Sequence, residues 1–463
     1  MTVVNGLKFI VFFLEKENVG LQKFDFIIYP KYAEFIHKCA AELYFAANRR
    51  AVQTNVHKIL NDPVYGFITI PDALVFSLIE HPFFQRLRRI SQLGLSSLVY
   101  PGAYHTRFHH ALGAMHLMTD AISILRRKGH PITAEEEQAV CIGILLHDIG
   151  HGPFSHALEH SIATDIQHEA ISLLFMEELN RQFDGQLDLA IRIFKGSYPK
   201  HFLHQLISSQ LDMDRLDYLR RDSFYTGVSE GQINSERLLT MLNVKDDQLV
   251  VDAKGIYSVE KFIIARRLMY WQVYLHKTVL SAEFLLMKIL KRARELKQHG
   301  ASIFGSEALL AFLTEPVTMD TFRKDPKWIL FFSRLDDFDL LSAVKEWCHH
   351  DDELLSDLAH RLIDRRLLAI EVFDHPVDAD YVESIKERTR RHFSFQKGEE
   401  NYVVFVDAIA NNAYNPVKDK ISLLYKDGSL KEVAEAADQL NIQALSNTVE
   451  RHFICYPKEI RQS

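Results

Sequence analysis

Histidine is concentrated in one part of this sequence. Many of the 23 histidines fall between residues 105 and 168, and the densest run is LLHDIGHGPFSHALEH at residues 145–160. There an apolar helical stretch ends in the adjacent pair His147 and Asp148. Burying a charge without a partner costs on the order of several kcal/mol, and a divalent cation is a partner that suits both side chains. Imidazole nitrogen and carboxylate oxygen are ligands for iron, zinc, manganese or nickel, so the pair predicts a metal site.

A second source of carboxylates is the segment SSQLDMDRLDYLRRDSF at residues 208–224. On a helix, five of its residues share one stripe: Leu211, Asp214, Arg215, Tyr218 and Asp222. The three aspartates at 212, 214 and 217 cannot all point in one direction, and Asp214 is best placed to face inward with Tyr218. Arg220 and Arg221 are expected to be solvated.

A further imidazole ligand is expected from HTRFHHALG at residues 105–113. His110 begins a helical apolar pattern, and His109 is its rival. Spacing alone does not choose between them. For any single histidine, a hydrogen-bonded core or surface residue is the simpler interpretation, and it is the cluster as a whole that favours a metal site.

Length, charge and cysteine content narrow the class of protein. The chain has 463 residues, a net charge of −7 and a pI near 6.4, so it has no overall attraction to nucleic acid or to an anionic membrane. Nucleic acid stays possible as a partner but is not indicated. Four scattered cysteines form no C-x-x-C pair, which is typical of a reducing compartment. No apolar run is long enough to span a bilayer, and we expect a cytoplasmic protein without a membrane partner.

The elements that must position these residues are mostly helices. Helical periodicity dominates residues 55–290, and residues 291–400 continue as a charged helical extension. Residues 1–54 form an N-terminal extension of unknown role. Residues 401–463 are expected to form a small α+β region, because NYVVFVDAI and KISLLYKDGSLKEV are typical of strands and the second turns at Asp427-Gly428. The predicted fold is mainly α: a helical core with a small α+β C-terminal appendage.

At this point the sequence resembles a known family, the HD-domain phosphohydrolases. It is most similar to the deoxynucleoside-triphosphate (dNTP) triphosphohydrolases that include the animal SAM-and-HD-domain enzyme and its dGTPase-like bacterial relatives. The resemblance covers residues 58–290 and is carried by NDPVYG (61–66), HPFFQRLRRISQLG (81–94), YPGAYHTRFHHALG (100–113), HDIGHGPFSH (147–156), LDMDRLDYLRRD (211–222) and ARRLMYWQVYLHK (265–277). No SAM domain is recognisable in the first fifty residues.

The resemblance implies a ligand set and a reaction. The metal ligands would be His110, His147, Asp148 and Asp214, which favours His110 over His109. The metal would be Fe, Mn, Zn or Ni, with Mg²⁺ as a further candidate alongside the triphosphate. Water activated by the metal would attack the α-phosphorus and release a deoxynucleoside and triphosphate.

The resemblance also implies roles around the reacting phosphate. His156 would be the general acid, tuned by Glu159 and His168, although the animal enzyme has aspartate in place of Glu159. His151 would contact a phosphate. The implied substrate-binding residues are Arg107, Arg215 and Arg266 for the phosphates, Gln92 and Asp222 for the sugar 3′-hydroxyl, and Tyr218 and Tyr274 for the pocket wall. The animal enzyme has lysine in place of Arg215, and for each position a structural helix residue is the alternative.

A regulatory site follows from the same resemblance. Five residues stand where the animal enzyme binds an activating guanine nucleotide between subunits, which implies a homodimer or homotetramer: Lys58, Asn61, Glu80, Gln85 and Arg88. Glu80 replaces an aspartate there. Surface capping and salt bridging is an equally good interpretation of these residues.

Two other classes of function stay open. Another HD-type phosphodiesterase or nucleotidase is one, although the Glu-Asp pair of stringent-response hydrolases is replaced by Gly150-His151 and no GYP motif is present. A non-catalytic nucleotide-sensing or nucleic-acid-binding protein is the other, using the basic runs at residues 86–89 and 365–366. Retention of the whole charged cluster argues against it.

Overall fold

The structure is a computed structural model that describes residues 58–154, 167–411, 414–415, 420–436 and 448–462. All of these belong to one compact unit, Asn55–Ser463. The N-terminal extension predicted at 1–54 lies outside the described residues, as do two catalytic candidates, His156 and Glu159.

Helices form most of the described chain, and the prediction of a mainly α fold is confirmed. Up to residue 298 they are α1 Ala73–Glu80, α2 Pro82–Gln85, α3 Arg107–Arg127, α4 Ala134–Leu146, α5 His168–Gln182, α6 Asp188–Phe194, α7 His201–Ile207, α8 Met213–Thr226, α9 Ser235–Met241, α10 Ile256–Met269 and α11 Lys277–Gln298. The rest are α12 Glu307–Thr314, α13 Met319–Lys324, α14 Lys327–Arg334, α15 Asp337–Trp347, α16 Glu353–Ile363, α17 Ala379–Phe393 and α18 Val433–Ala436. None of the helices in these ranges is both long enough and apolar enough to cross a bilayer.

The helices α3 and α4 lie in the core and begin at capping boxes. Thr106 and Thr133 are their N-cap residues, and the third residue of each helix, His109 or Glu136, returns the hydrogen bond. Helix α3 packs against both α4 and α8. Its fully buried large apolar side chains, such as Met115, each contribute about 1.5–3 kcal/mol of hydrophobic free energy. This packing brings the first turn of α3, the end of α4 and the first turn of α8 together.

Two hairpins inside the helical core were not predicted. Strands β1 (Ile59–Asp62) and β2 (Gly66–Thr69) pair antiparallel, with Asp62 opposite Gly66 next to the turn. Strands β3 (Leu242–Lys245) and β4 (Gln248–Asp252) form the second hairpin. Strands of four or five residues are too short for periodicity to identify.

The C-terminal strands include the predicted hairpin. Strands β7 (Ser422–Leu424) and β8 (Leu430–Glu432) pair antiparallel around a turn in which Gly428 has a φ of 82°. Strand β7 also pairs in parallel with β4, so these strands extend a hairpin of the core. A separate sheet has the order β5–β9–β6, formed by Ala369–Phe373, Val449–Tyr456 and Phe405–Asn411.

Candidate metal centre and nucleotide pocket

The four predicted ligands come from three helices. His110 lies in the first turn of α3, His147 and Asp148 follow the last turn of α4, and Asp214 lies in the first turn of α8. His110 Nε2 lies 3.4 Å from His147 Nε2 and 3.1 Å from Asp214 Oδ1, and His147 Nε2 lies 3.5 Å from the same oxygen. Asp148 borders this group, with Oδ1 3.3 Å from His147 Nε2 and Oδ2 3.7 Å from His110 Nε2.

Hydrogen bonds on the far side of each ring fix which nitrogen faces the group. His110 Nδ1 lies 2.7 Å from Asp217 Oδ2, and His147 Nδ1 lies 2.6 Å from the carbonyl oxygen of Ile144. Carboxylate and carbonyl oxygens only accept, so both rings carry a proton on Nδ1. The Nε2 atoms are therefore the ones available as ligands.

The spacing of the donor atoms fits a metal ion. Histidine nitrogens and carboxylate oxygens bind divalent transition metals at about 2.0–2.2 Å, which places neighbouring ligands about 3.0–3.5 Å apart in octahedral or tetrahedral geometry. The three donor–donor distances among His110, His147 and Asp214 are 3.1, 3.4 and 3.5 Å. Two imidazoles and one or two carboxylates are a suitable donor set for such an ion.

The electrostatics of the group favour a positive charge. Burial opposes protonation of His110, yet hydrogen bonds to Asp214 and Asp217 raise its pKa to about 10. Burial likewise opposes ionisation of Asp214, but the two histidines hold the pKa of that carboxyl well below its usual range. Surroundings that bind a proton this strongly also favour a shared cation.

Asp148 also borders a second group of histidines. Its Oδ1 atom lies 3.3 Å from His151 Nε2, and its Oδ2 atom accepts from Arg107 at 2.5 Å. The His151 ring stacks on His168, with 3.8 Å between ring centroids. Burial and the nearby Arg107 hold the pKa of His151 well below its usual range, so this ring is neutral. Asp148 thus connects the candidate metal ligands to the predicted phosphate-contacting residues.

A buried arginine holds the loop that follows α4. Arg86 is fully buried, and its guanidinium donates to the carbonyl oxygens of Ile149 at 2.7 Å, His151 at 2.9 Å and Leu335 at 3.0 Å. These bonds fix the backbone on both sides of Gly150. The sequence does not mark Arg86 for this role.

Three tyrosines line one side of the predicted pocket. Tyr270–Tyr274 is a π-helical turn between α10 and α11, a feature that is common at functional sites. The Tyr274 ring contacts both Tyr270 and Tyr218, at centroid distances of 5.1 and 6.0 Å. The guanidinium of Arg266 lies 5.8 Å from the Tyr270 ring. The structure therefore groups three of the predicted substrate residues, Tyr218, Tyr274 and Arg266.

Neighbouring groups orient the predicted phosphate-binding arginines. Arg215 donates to the buried carboxylate of Asp212, and Arg266 donates to Gln210 at 3.0 Å. The Nε atoms of Arg215 and Arg266 are buried and have no hydrogen-bond partner among the described residues. Buried donors of this kind are normally satisfied, so they remain available to an anionic ligand.

The predicted sugar-reading residues differ in their surroundings. Asp222 is buried and already engaged, with Oδ1 2.7 Å from His105 Nε2 and Oδ2 accepting from the Tyr274 hydroxyl at 2.8 Å. His105 also stacks on Tyr225, with 4.4 Å between centroids. The Oε1 atom of Gln92, in contrast, is buried without a hydrogen-bond partner in the described part of the chain. His105 was noted in the histidine cluster but was assigned no role.

The expected solvation of Arg220 and Arg221 was wrong. Arg221 is fully buried rather than solvated, and Arg220 is only half-buried, with its guanidinium 4.7 Å from the Tyr65 ring. Asp212 and Asp217 are completely buried, whereas the Asp214 side chain is 26% exposed. All three aspartates face the protein interior because α8 is enclosed on several sides, including by α3 and α10.

The residues that sequence reasoning missed form a chain of buried charges behind His110. Asp217 accepts from His110 Nδ1 and from Arg221 Nε, at 2.7 and 2.9 Å. Arg221 also donates to Asp62 in β1 at 2.7 Å. The available signal was the Asp217–Arg221 spacing of four residues, which places the two side chains on one helix face.

The arginines of the basic run at residues 86–89 make several contacts within the protein. Arg86 is buried in the loop contact described above, and Arg89 donates to Asp336. The Arg88 guanidinium lies 3.6 Å from the centroid of the Phe108 ring. Arg88 and Arg89 are nevertheless exposed, so a part for this run in nucleic-acid binding stays a prediction.

The five residues of the implied regulatory site lie at the surface, exposed or half-buried. Lys58 and Asn61 belong to the first hairpin or its edge, and Glu80 ends α1. Arg88 donates to Gln85 at 2.8 Å. No contact brings all five together within the described chain, so their role remains a prediction.

This chain is similar to several known proteins. The family described as "HD associated region" matches residues 233–305. A phosphohydrolase of known structure from Bacteroides thetaiotaomicron is 51% identical, with a TM-score of 0.84 over 86% of this chain and 99% of that one. An uncharacterised protein of Bacillus subtilis is 33% identical over 87% of this chain and 93% of its own length. A Dictyostelium discoideum homolog of the dNTP triphosphohydrolase SAMHD1 is 32% identical over 50% of this chain and 48% of its own.

The overall similarity to the Bacteroides protein extends over nearly its whole length. His110, His147 and Asp214, from three of the motifs that carried the resemblance, form a group able to hold a metal ion. This chain therefore belongs to the HD-domain superfamily of metal-dependent phosphohydrolases.

Proposed function

We propose that this chain is a metal-dependent dNTP triphosphohydrolase, which converts a dNTP and water into a deoxynucleoside and triphosphate. One observation carries the proposal: the Nε2 atoms of His110 and His147 and Oδ1 of Asp214 lie within 3.5 Å of one another. The SAMHD1 homologs of Dictyostelium discoideum and chicken, which bear the name dNTP triphosphohydrolase, support the choice of substrate.

The proposed ligands are His110, His147, Asp148 and Asp214. A bound divalent ion supplies Lewis acidity and lowers the pKa of a coordinated water. Asp217 and the carbonyl of Ile144 keep the ring protons on Nδ1, so that both Nε2 atoms stay available. The group contributes two carboxylates, which offset the ion's charge.

In this proposal the arginines bind the triphosphate. Arg107, Arg215 and Arg266 provide planar guanidinium groups that suit phosphate oxygens. His151 is neutral and beside Asp148, so it would donate a hydrogen bond to the phosphate without adding charge. The departing 5′-oxygen needs a proton, which we assign to His156, with Glu159 and His168 tuning it.

In this proposal the sugar binds beside the face of α8 that carries Tyr218 and Asp222. Tyr218 and Tyr274 form the wall on which a deoxyribose would pack. Asp222 and Gln92 would read the 3′-hydroxyl, with His105 and the Tyr274 hydroxyl orienting the Asp222 carboxylate. Loss of that orientation should raise KM more than it lowers kcat, because the hydroxyl is remote from the reacting phosphorus.

The first experiment combines elemental analysis with a product assay. Purified protein is analysed for Fe, Mn, Zn and Ni, and each of the four dNTPs is assayed for release of triphosphate, pyrophosphate and phosphate, with and without EDTA. We expect EDTA-sensitive triphosphate release. The His147→Ala and His110→Ala variants should be inactive, and His109→Ala, which alters only a helix cap, should retain activity.

The product identifies the reaction. Pyrophosphate or phosphate as the only inorganic product would replace the proposal with another HD-type nucleotidase, and activity only on phosphodiesters would replace it with a phosphodiesterase. Nucleotide binding without any hydrolysis, in protein that holds its metal, would favour the non-catalytic nucleotide-sensing interpretation.

We also propose guanine-nucleotide activation through Lys58, Asn61, Glu80, Gln85 and Arg88, in a homodimer or homotetramer. If this holds, dATP hydrolysis rises on addition of GTP or dGTP, and light scattering shows the oligomer growing with the activator. Hyperbolic kinetics that are indifferent to guanine nucleotides, at an unchanging molecular mass, would reject the regulatory site and leave the hydrolase intact.

A further inference from the structure

Behind the candidate metal ligand His110 lies a chain of buried charges that the proposed reaction does not use. Asp217 and Arg221 are fully buried on one face of α8, and Asp62 at the end of β1 is 7% exposed. Asp217 receives two hydrogen bonds from Arg221, at 2.9 and 3.0 Å, and one from His110 Nδ1 at 2.7 Å. Burying charged groups costs desolvation free energy, so we expect these residues to have a function.

The His110 contact decides the orientation of the ring. A carboxylate at Nδ1 holds the ring proton there and leaves the Nε2 lone pair directed at Asp214 and His147. It also makes Nε2 a stronger donor to a cation. With Asp217 replaced by an amide, Nδ1 could face either the oxygen or the nitrogen of the amide, and the tautomer would no longer be fixed.

Arg221 extends the chain to the first hairpin. It donates to Asp62 Oδ2 at 2.7 Å, while Asp62 Oδ1 accepts from the backbone amides of Val64 and Tyr65 at 2.9 and 3.0 Å. Asp62 therefore links the turn of the hairpin to α8. The hairpin, which is far from the metal ligands in sequence, is connected to His110 by three consecutive side-chain contacts.

Close packing leaves the side chains of Asp217 and Arg221 little room to move. A Cβ atom added at Gly113, one turn after His110, would lie 2.0 Å from Asp217 Oδ1 and 2.2 Å from a terminal nitrogen of Arg221. The charged pair is thus pressed against the backbone of α3. A displacement at one end of the chain must be passed on to its neighbours.

We propose that Asp217, Arg221 and Asp62 are positioning residues for the metal centre: they hold the His110 ring in its ligand orientation, and they make metal affinity depend on the position of the β1–β2 hairpin. This inference rests on the proposed metal site. It assigns to the hairpin a function in metal retention that is separate from any nucleotide it binds.

The test measures metal affinity directly. Metal-free full-length protein is titrated with Mn²⁺, and the free ion is followed by electron paramagnetic resonance, for the wild type and for Asp217→Asn, Arg221→Lys and Asp62→Asn. Loss of a partner of this kind costs about 10–100-fold in metal affinity, so we expect that range for Asp217→Asn and a smaller loss in the same direction for the other two.

A matched control separates positioning from general destabilisation. Arg361 is also a buried arginine between two carboxylates, Asp357 four residues earlier at 2.7 Å and Glu459 at 3.0 Å, and neither carboxylate belongs to the metal site. Glu459→Gln removes one carboxylate charge from Arg361, just as Asp62→Asn removes one from Arg221. We expect Glu459→Gln to lower the denaturation midpoint while leaving the Mn²⁺ Kd unchanged.

Histidine ring ¹⁵N resonances provide a second measurement. The wild type should show one ring with its proton fixed on Nδ1 by a carboxylate, and Asp217→Asn should lose that signature. Unchanged Mn²⁺ affinity in a folded Asp217→Asn protein overturns the positioning role, although the metal site itself would stand. Should that variant not fold, Asp62→Asn and Arg221→Lys decide in the same way.

The remaining outcomes are equally distinct. Weakened binding in Asp217→Asn with unchanged binding in Asp62→Asn overturns the hairpin's part. Absence of stoichiometric binding of Mn²⁺, and equally of Fe²⁺, Zn²⁺ and Ni²⁺, by the wild type overturns the proposed function and this inference together.

Discussion

Replacing Gly113 with alanine should damage this protein, although helix propensity predicts the opposite. Gly113 lies inside α3, and alanine is favoured over glycine in a helix interior by about 1 kcal/mol. The structure places the new methyl group 2.0 Å from Asp217 Oδ1 and 2.2 Å from an Arg221 nitrogen. Ordinary contact begins at 3.4 Å, so the charged pair must retreat by about 1.4 Å.

The size of the effect follows from what that retreat breaks. The hydrogen bonds of Asp217 to His110 and Arg221 span 2.7–3.0 Å and cannot survive a displacement of this size intact. Breaking a buried ion pair costs about 3–5 kcal/mol. After the gain in helix propensity, Gly113→Ala should lower the free energy of unfolding by about 2–4 kcal/mol, and it should also weaken metal binding.

Gly143 provides the matched control. It is a buried glycine in α4, and a Cβ there would meet the terminal methyl of Ile207 at 2.6 Å, a flexible apolar group that can turn away. Gly143→Ala should therefore change stability by no more than about 1–2 kcal/mol and leave metal affinity alone. Urea denaturation of the two variants and the wild type measures the change in stability, and Mn²⁺ titration measures the metal affinity. A Gly113→Ala protein as stable as the wild type would refute the reasoning.

Three further predictions concern buried polar groups other than the metal ligands. Burial lowers the pKa of His81 to about 4, from 6.5 in the unfolded chain, so unfolding takes up a proton between these pH values and stability falls as the pH drops. Urea titrations of the wild type should show that about 2 kcal/mol of stability is lost by pH 5. His81→Asn should not show this loss, and parallel pH profiles of the two proteins would contradict the prediction. Arg86→Met leaves three buried carbonyls without their donor and should lower the free energy of unfolding by about 3 kcal/mol or more. The variant should also retain less metal after dialysis. Normal stability would show that other contacts hold the loop. Burial raises the pKa of Glu283 to about 8, so ionisation of this carboxyl destabilises the folded protein as the pH rises. Glu283→Gln should therefore stabilise the protein by an amount that grows from pH 5 to pH 9. Thermal melts in which the variant and the wild type differ by a constant amount would argue against this.

The helical core could be predicted because its signals are local. The apolar spacing of α3 and α4 and the capping threonines are readable in the sequence, and so is the turn at Gly428. The short hairpin β1–β2 was missed because strands of four residues carry no usable period. The pairing of β7 with β4 was missed because it joins residues about 170 positions apart, which no local pattern reports.

The burial of several charged residues could not be predicted from the sequence. Arg221 and Asp217 have the spacing of an exposed helical ion pair, and a helix taken alone gives no reason to bury them. They are buried because α3 covers that face of α8 and because Asp62 arrives from a separate hairpin. Arg86 is similar, since its three carbonyl partners come from two distant segments.

The sequence by itself determined the kinds of ligand available and the helices that carry them, because residue type and helical period are local properties of the chain. Only the tertiary structure decided which atoms meet. It places the Nε2 atoms of His110 and His147 toward Asp214, and Asp217 behind the His110 ring. Such convergence depends on how three helices and a hairpin pack, and packing is a property of the whole fold rather than of any segment.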